Sequence, residues 1–342
     1  MALIEFQKGG LYVPVADVFI DPWRRVKKAL ITHGHSDHAR WGHQQYICAN
    51  SSRAILQHRL GNINVQGVSF GDSFSVNGVE FTFYPAGHIV GSAQIKVEYQ
   101  GEVWVVSGDY KVEDDGLSGA FEPIPCHVFI TESTFGLPIY TWLDQSVIFD
   151  EINQWWASNR DVGVTSILTG YTLGKAQRLL SGLDTSIGPV YTHGAIENMT
   201  EVVRNSGVTL PATTLITPET PKQDLVGAMV ISPPSATGSP WMKRFKAVSI
   251  AGASGWMQLR GARRRRSVDR GFVLSDHADW DGLNQAIEAT GASKIYATHG
   301  YTDVFRRWLE SKGLEAGVVK TRFEGELAEI NEGSEPDEED QA

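Results

Sequence analysis

Six consecutive residues, His33-Gly34-His35-Ser36-Asp37-His38, gather three imidazoles and one carboxylate in one short stretch. They follow Ala29-Leu30-Ile31-Thr32, an apolar run that reads as a strand. Residues two apart on a strand point to the same side, so His33 and His35 share a face, and Asp37 and His38 fall on the turn beyond. Neutral imidazole suits Zn, Fe, Ni or Co, and a carboxylate adds charge. A catalytic ion takes about three protein ligands and keeps one position open. Four donors in six residues exceed that need, so the spacing predicts a site for two ions. A solvated histidine-rich turn or an expression tag is the bland alternative, but a tag is terminal and lacks a preceding strand. More donors follow at strand ends. His88 closes Pro85-Ala86-Gly87-His88, and Asp109 closes Ser107-Gly108-Asp109 after the run Val103 to Val106. Each alone is weak, since a lone histidine is more often structural. Together they supply what two ions require.

The elements that position these residues differ along the chain. Val18-Phe19-Ile20, Gln45 to Cys48, Glu80 to Tyr84, Gln94 to Val97 and Val103 to Val106 read as strands, punctuated by Gly, Asn and Asp; Ala54 to Leu60 is the best early helix. Helices then alternate with strands: helix from Ser146 to Trp156, strand Val164 to Leu168, helix Leu173 to Leu180, strand Val190-Tyr191 and helix Ala195 to Arg204. Ala228 to Ile231 and Ala247 to Ile250 are further strands. That alternation predicts a parallel sheet with helices on its faces. After Arg270 the chain returns to strand-plus-turn segments that carry His277 and His299. A β-rich first part, an inserted α/β segment and a return to the first part are expected.

Composition narrows the class. The 342 residues suffice for two modest domains, and no apolar run approaches the roughly 20 residues of a membrane span. No secretory signal is visible, and two cysteines, Cys48 and Cys126, suggest no disulfide framework, so a cytoplasmic location is expected. The formal net charge of -10 argues against a nucleic-acid partner, until its distribution is considered. The segment from Glu324 onward carries most of the imbalance and reads as a disordered acidic tail. The body contains one basic cluster, Arg263-Arg264-Arg265-Arg266, which suits a solvated loop and a weak phosphate-tracking site equally.

The series His33 to His38, His88 and Asp109 resembles the metallo-β-lactamase superfamily. Asp21, at the end of strand Val18 to Ile20, resembles that family's early aspartate, with Asp17 the weaker candidate. Three further segments resemble the nuclease branch with an inserted β-CASP domain: Thr131 to Gly136 at Glu132, Leu274 to Asp279 at His277, and Ala297 to Gly300 at His299. With Asp21-Pro22-Trp23-Arg24, the chain is most similar to the bacterial ligase-associated DNA exonucleases, whose relatives are often labelled mRNA 3′-end processing factors.

The resemblance implies an α/β metallo-β-lactamase αββα sandwich with an inserted α/β β-CASP-like cap. The expected division is residues 1–137 and 271–323 for the sandwich, 138–270 for the insert and 324–342 for the tail. It implies two divalent metal ions, Zn or Mn. His33, His35 and His88 would hold one, Asp37, His38 and His299 the other, and Asp109 would bridge them, with Asp21 behind the ligands. A metal-bridging hydroxide would attack the phosphodiester, with Asp37 also counted in the catalytic set. His277 would face the scissile phosphate as acid or charge stabiliser, and Glu132 would raise its pKa, although a structural carboxylate is the alternative for Glu132. The implied function is a nuclease, DNA favoured over RNA and exonuclease over endonuclease, in DNA repair, with an ATP-dependent DNA ligase and a helicase as implied partners. An RNA-processing enzyme and a thioesterase or lactonase are the alternatives.

Overall fold

The computed structural model describes residues 2–259 and 268–319; the Arg263 to Arg266 cluster and the acidic tail lie outside them. A first sheet runs in chain order through β1 (Glu5–Gln7), β2 (Gly10–Val13), β3 (Val18–Ile20), β4 (Lys28–Leu30), β5 (Gln45–Ala49) and β6 (Val65–Val68). A second contains β7 (Ser73–Val76), β8 (Val79–Pro85), β9 (Ala93–Tyr99), β10 (Glu102–Val106), β11 (Val128–Glu132), β18 (Lys294–Thr298) and β19 (Glu315–Val318), ordered β19-β18-β11-β10-β9-β8-β7.

Period-two alternation explains why these sheets stack. Ile130 and Val106 point inward with Phe81, Phe83, Ile95 and Val97, and meet Val18, Ile20, Leu30 and Ile47 of the first sheet. Their neighbours Phe129 and Val105 point outward and are covered by α5 (Trp280–Thr290) and α6 (Thr302–Ser311) through Leu283, Ile287, Phe305 and Leu309. On the other side, Ala29, Ile31, Tyr46 and Cys48 pack against Leu56 of α1 (Asn50–Leu60). The order helix, sheet, sheet, helix is the expected αββα sandwich.

A third, fully parallel sheet separates β11 from β18. It contains β12 (Thr165–Thr169), β13 (Val190–Thr192), β14 (Thr214–Leu215), β15 (Met229–Ser232), β16 (Val248–Ala253) and β17 (Arg270–Phe272), ordered β14-β13-β15-β12-β16-β17. The helices α2 (Gln145–Asp161), α3 (Lys175–Ser181) and α4 (Gly194–Asn205) cover one face through Trp156, Leu179, Leu180 and Ile196. The chain thus leaves the second sheet at Glu132, builds the third, and returns beside it, with Glu132 paired to Thr298. A smaller apolar cluster joins this layer to the sandwich, Leu173 and Met199 against Ile55 and Ile89. Among the described residues no helix is long and apolar enough to cross a membrane.

The sequence reading missed α5 and α6, taking everything after Arg270 for strands and turns. The strand of the first such segment is β17, which stops at Phe272, and Val273 to Asp279 form a connecting loop.

Candidate metal centre

The donors singled out from sequence come to the same end of the sandwich. His33 and His35 follow β4, His88 follows β8, Asp109 follows β10, Glu132 ends β11 and His299 follows β18. His277 arrives from the loop after β17. Two backbone features make the convergence possible. Gly108 has φ +59°, and a Cβ there would lie 2.7 Å from Thr32, so only glycine lets Asp109 approach the His33 turn this closely. His299 is itself left-handed, at φ 56°, and Gly300 beyond it packs on the Ser133 backbone with no room for a Cβ. A non-glycine residue at positive φ stores strain and points to a functional constraint.

Three groups of donor atoms each lie within 4.8 Å of one another: His33, His35, His88 and Asp109; His38, Asp109 and His299; and Asp109, Glu132 and His277. Asp109 belongs to all three. Asp37 stands at the margin, its Oδ2 4.0 Å from His38 Nε2, and lines a cleft with Asp21, Trp23, His38 and His299.

Hydrogen bonding decides which nitrogens face inward. His35 Nε2 donates to the Leu173 carbonyl (3.2 Å) and His88 Nδ1 to the Asp276 carbonyl (2.9 Å). A carbonyl can only accept, so these nitrogens carry the protons, and His35 Nδ1 and His88 Nε2 carry lone pairs. Those two atoms are 3.1 Å apart, and His33 Nε2 is also 3.1 Å from His35 Nδ1. Burial pushes all three imidazoles below their ordinary pKa and favours their neutral forms. The lone pairs of His35 Nδ1 and His88 Nε2, facing each other at 3.1 Å, repel unless a cation sits between them. The donor set fits a transition-metal ion.

The neighbouring group has a different chemistry. His38 Nδ1 donates to Asp21 Oδ2 (2.7 Å), which orients the ring. Among the described residues His38 Nε2 is buried without a hydrogen-bond partner, 3.4 Å from Asp109 Oδ2. Burial disfavours charge on His38, but Asp109 and Asp37 outweigh it and hold its pKa well above the usual value. Burial likewise opposes ionisation of Asp109, and His38 and His299 outweigh that and keep it ionised. The pocket therefore favours positive charge. Asp21, left-handed at φ 44°, also accepts from the Thr32 amide (2.8 Å) and hydroxyl (2.5 Å). Asp17 instead bonds Tyr12 in an exposed position (3.0 Å), away from this network.

Glu132 and His277 form a buried pair, with His277 Nδ1 2.9 Å from Glu132 Oε2 and the Tyr110 amide donating to Glu132 Oε1 (2.7 Å). Sequence reasoning missed what braces this corner. Lys175 and Arg178 of α3 are buried, and both reach Asp276 Oδ1, at 2.9 and 3.1 Å. Asp276 precedes His277, and its carbonyl takes the His88 proton. Locally the sequence shows only a glycine-flanked stretch, Gly170 to Lys175, ahead of a helix; in the fold Lys175 is turned into the protein and the Leu173 carbonyl faces His35.

No family model matches the chain. A "Probable DNA ligase" of Opitutus terrae is 30% identical over 315 residues, covering 91% of this chain and 30% of that protein. An "RNase J-like protein" of Methanocaldococcus jannaschii is 26% identical over 53% of this chain and 45% of its own length. The chain therefore spans less than half of either relative. A crystal structure of a protein of unknown function from Enterococcus faecalis shares the fold, with a TM-score of 0.61 at 10% identity over 87% of this chain and 80% of the other.

Proposed function

Because the chain belongs to the β-CASP branch of the metallo-β-lactamase proteins, we propose that it hydrolyses phosphodiester bonds in DNA, as an exonuclease in repair. The observation that carries this reading is the buried Glu132–His277 pair beside Asp109, which adds a proton-handling group to a metal-binding pocket. DNA is favoured because the ligase-named relative aligns with 91% of the chain. The same alignment supports a DNA ligase as working partner.

His33, His35, His88 and Asp109 would hold one divalent ion, Zn or Mn, and His38, His299, Asp37 and Asp109 a second. Such ions lower the pKa of water and neutralise charge on a phosphoryl group. The protein's own residues do the rest. Asp21 fixes the His38 tautomer, and the carbonyls of Leu173 and Asp276 fix those of His35 and His88. Glu132 accepts from His277 Nδ1 and sets the ring's orientation, so His277 meets the substrate through Nε2, where it can protonate the departing oxygen. Both cysteines are free, which agrees with a reducing, cytoplasmic location.

End-labelled single- and double-stranded DNA and RNA, incubated with the protein and Mn or Zn, test the reading. Mononucleotide release from DNA supports it. Cleavage of RNA alone would transfer the assignment to an RNase, the activity that the name of the RNase J-like relative carries. His277→Ala should slow cleavage by roughly 10²- to 10⁴-fold with metal content unchanged. Loss of bound metal from that variant would make His277 a ligand instead.

A further inference from the structure

Two segments that lead out of the metal pocket carry a concentration of positive charge. The first runs from Asp21 through Pro22-Trp23-Arg24-Arg25-Val26-Lys27-Lys28, and the second from His38 through Ala39-Arg40-Trp41. They are held side by side. Gln44 N donates to Val26 O (3.1 Å), Gln45 N to Lys27 O (3.0 Å), and Val26 N to His43 Nδ1 (3.3 Å). Neither residues 22–28 nor residues 38–46 contain a single Asp or Glu.

Arg24, Arg25 and Lys27 are exposed, and none of them forms an ion pair among the described residues. Cations that stabilise a fold are usually paired or lie along apolar surface; Arg24 and Lys27 are left to solvent, and Arg25 lies on a ring that is itself exposed. All three stand in a chain whose overall charge is -10, so the patch is a local reversal rather than a general property. Trp41 is the second observation. It is 63% exposed, and the Arg25 guanidinium lies over its ring at 5.1 Å from the centroid. An exposed indole costs solvation without gaining packing. A guanidinium against one side of a ring and solvent elsewhere leaves an aromatic surface on which a planar base can stack.

We propose that Arg24, Arg25, Lys27 and Trp41 form the track along which a single-stranded nucleic acid leaves the metal pocket, its phosphates against the cations and one base on Trp41. This surface rests on the hydrolytic reading above. The site supplies one end of the path, because Asp21 and His38 are the residues from which both segments depart. A duplex keeps its bases stacked on one another, so the exposed indole selects a single strand.

The test uses the metal-loaded protein and a fluorescein-labelled 20-nucleotide phosphorothioate oligothymidine, which keeps every phosphate charge and slows hydrolysis. Anisotropy gives Kd across a series of salt concentrations. Each phosphate contact in a single strand adds about 0.7 to the slope of log Kd against log salt, so the Arg24→Ala/Arg25→Ala/Lys27→Ala variant should lose about 2 from that slope. Trp41→Ala should leave the slope alone, weaken binding by about tenfold and abolish the tryptophan quenching that accompanies it. Both variants alter exposed side chains, and a thermal melt confirms that each is folded. Wild-type slope in the triple variant together with wild-type affinity in Trp41→Ala would overturn the track. That result leaves the hydrolytic reading intact, whereas failure of the unaltered protein to cleave an ordinary strand with Mn would sink the reading itself.

Discussion

The two halves of the pocket are built on opposite plans. On one side burial lowers the pKa of His33, His35 and His88 and favours neutral rings, two of them oriented by backbone carbonyls, those of Leu173 and Asp276. On the other, His38 is oriented by a carboxylate, Asp21, and stands among further carboxylates. The first half depends on the inserted layer, since Leu173 precedes α3 and Asp276 is gripped by Lys175 and Arg178. The second depends on the sandwich's own two sheets, through the ends of β3 and β4 and, at His299, the end of β18. A carbonyl acceptor fixes a tautomer without adding charge, so the first half keeps its ligands neutral. A carboxylate fixes it and also strengthens the ring as a donor. The lesson is that one pocket can have a structurally conditional half and an intrinsic half, meeting at Asp109.

The largest effect should come from breaking that meeting point. Asp109→Asn removes the one carboxylate common to all three donor groups. Phosphodiester cleavage should fall by roughly a thousandfold or more, and metal analysis should show both halves depleted. Loss from one half only would mean that Asp109 serves that half and merely neighbours the other.

How much of this division was readable beforehand depends on distance along the chain. The donors were legible, because His33 to His38 are consecutive and His88, Asp109 and His299 sit at strand ends next to glycine. The braces were not. His35 meets Leu173 across 138 residues and Arg178 meets Asp276 across 98, contacts set by the packing of α3 and not by any local pattern. The missed helices are a different failure. In α5, Leu283, Ala286 and Ile287 recur at helical spacing, Asp279 caps the start through the Gly282 amide, and left-handed Gly291 ends it. In α6, Phe305 and Leu309 are one turn apart. Those signals were present, but two short amphipathic helices were hidden between histidine-bearing loops that drew the reading toward strands.

A paired experiment separates the halves more gently. Asp21→Asn should weaken metal binding about 10- to 100-fold on the His38 side, and Lys175→Met by a similar factor on the His35 and His88 side. Cobalt titration followed by visible absorption distinguishes them, because the halves differ in nitrogen and oxygen donors. Removing one partner of a buried ion pair also destabilises the fold, by as much as about 3–5 kcal/mol, although Arg178 remains to hold Asp276. Lys175→Arg should therefore restore metal binding. If Asp21→Asn and Lys175→Met weaken the same spectral component, the two halves are one unit and the contrast fails.

The smallest expected effect concerns how the two braces respond to acid. Burial opposes charge on Asp276, but Lys175 and then Arg178 outweigh it and hold its carboxyl well below the usual range. The brace of the first half therefore does not titrate under mildly acid conditions. Behind the second half, His43 accepts from the Val26 amide and so pins the segment that follows Asp21. Burial depresses the His43 pKa to about 4. Its neutral form belongs to the folded protein, while an unfolded chain takes up the proton near the ordinary value of about 6.5. Stability from this residue is thus complete above that value and is lost as pH falls through it toward 4, because the unfolded state binds more protons over that interval. Protonation would also abolish the acceptor for the Val26 amide. Urea midpoints of the metal-free protein at pH 7.0 and 4.5 should draw apart, and the gap should narrow in His43→Asn, whose side chain does not titrate. An equal gap in both proteins would place the acid sensitivity elsewhere, and leave the two braces alike in their response to pH.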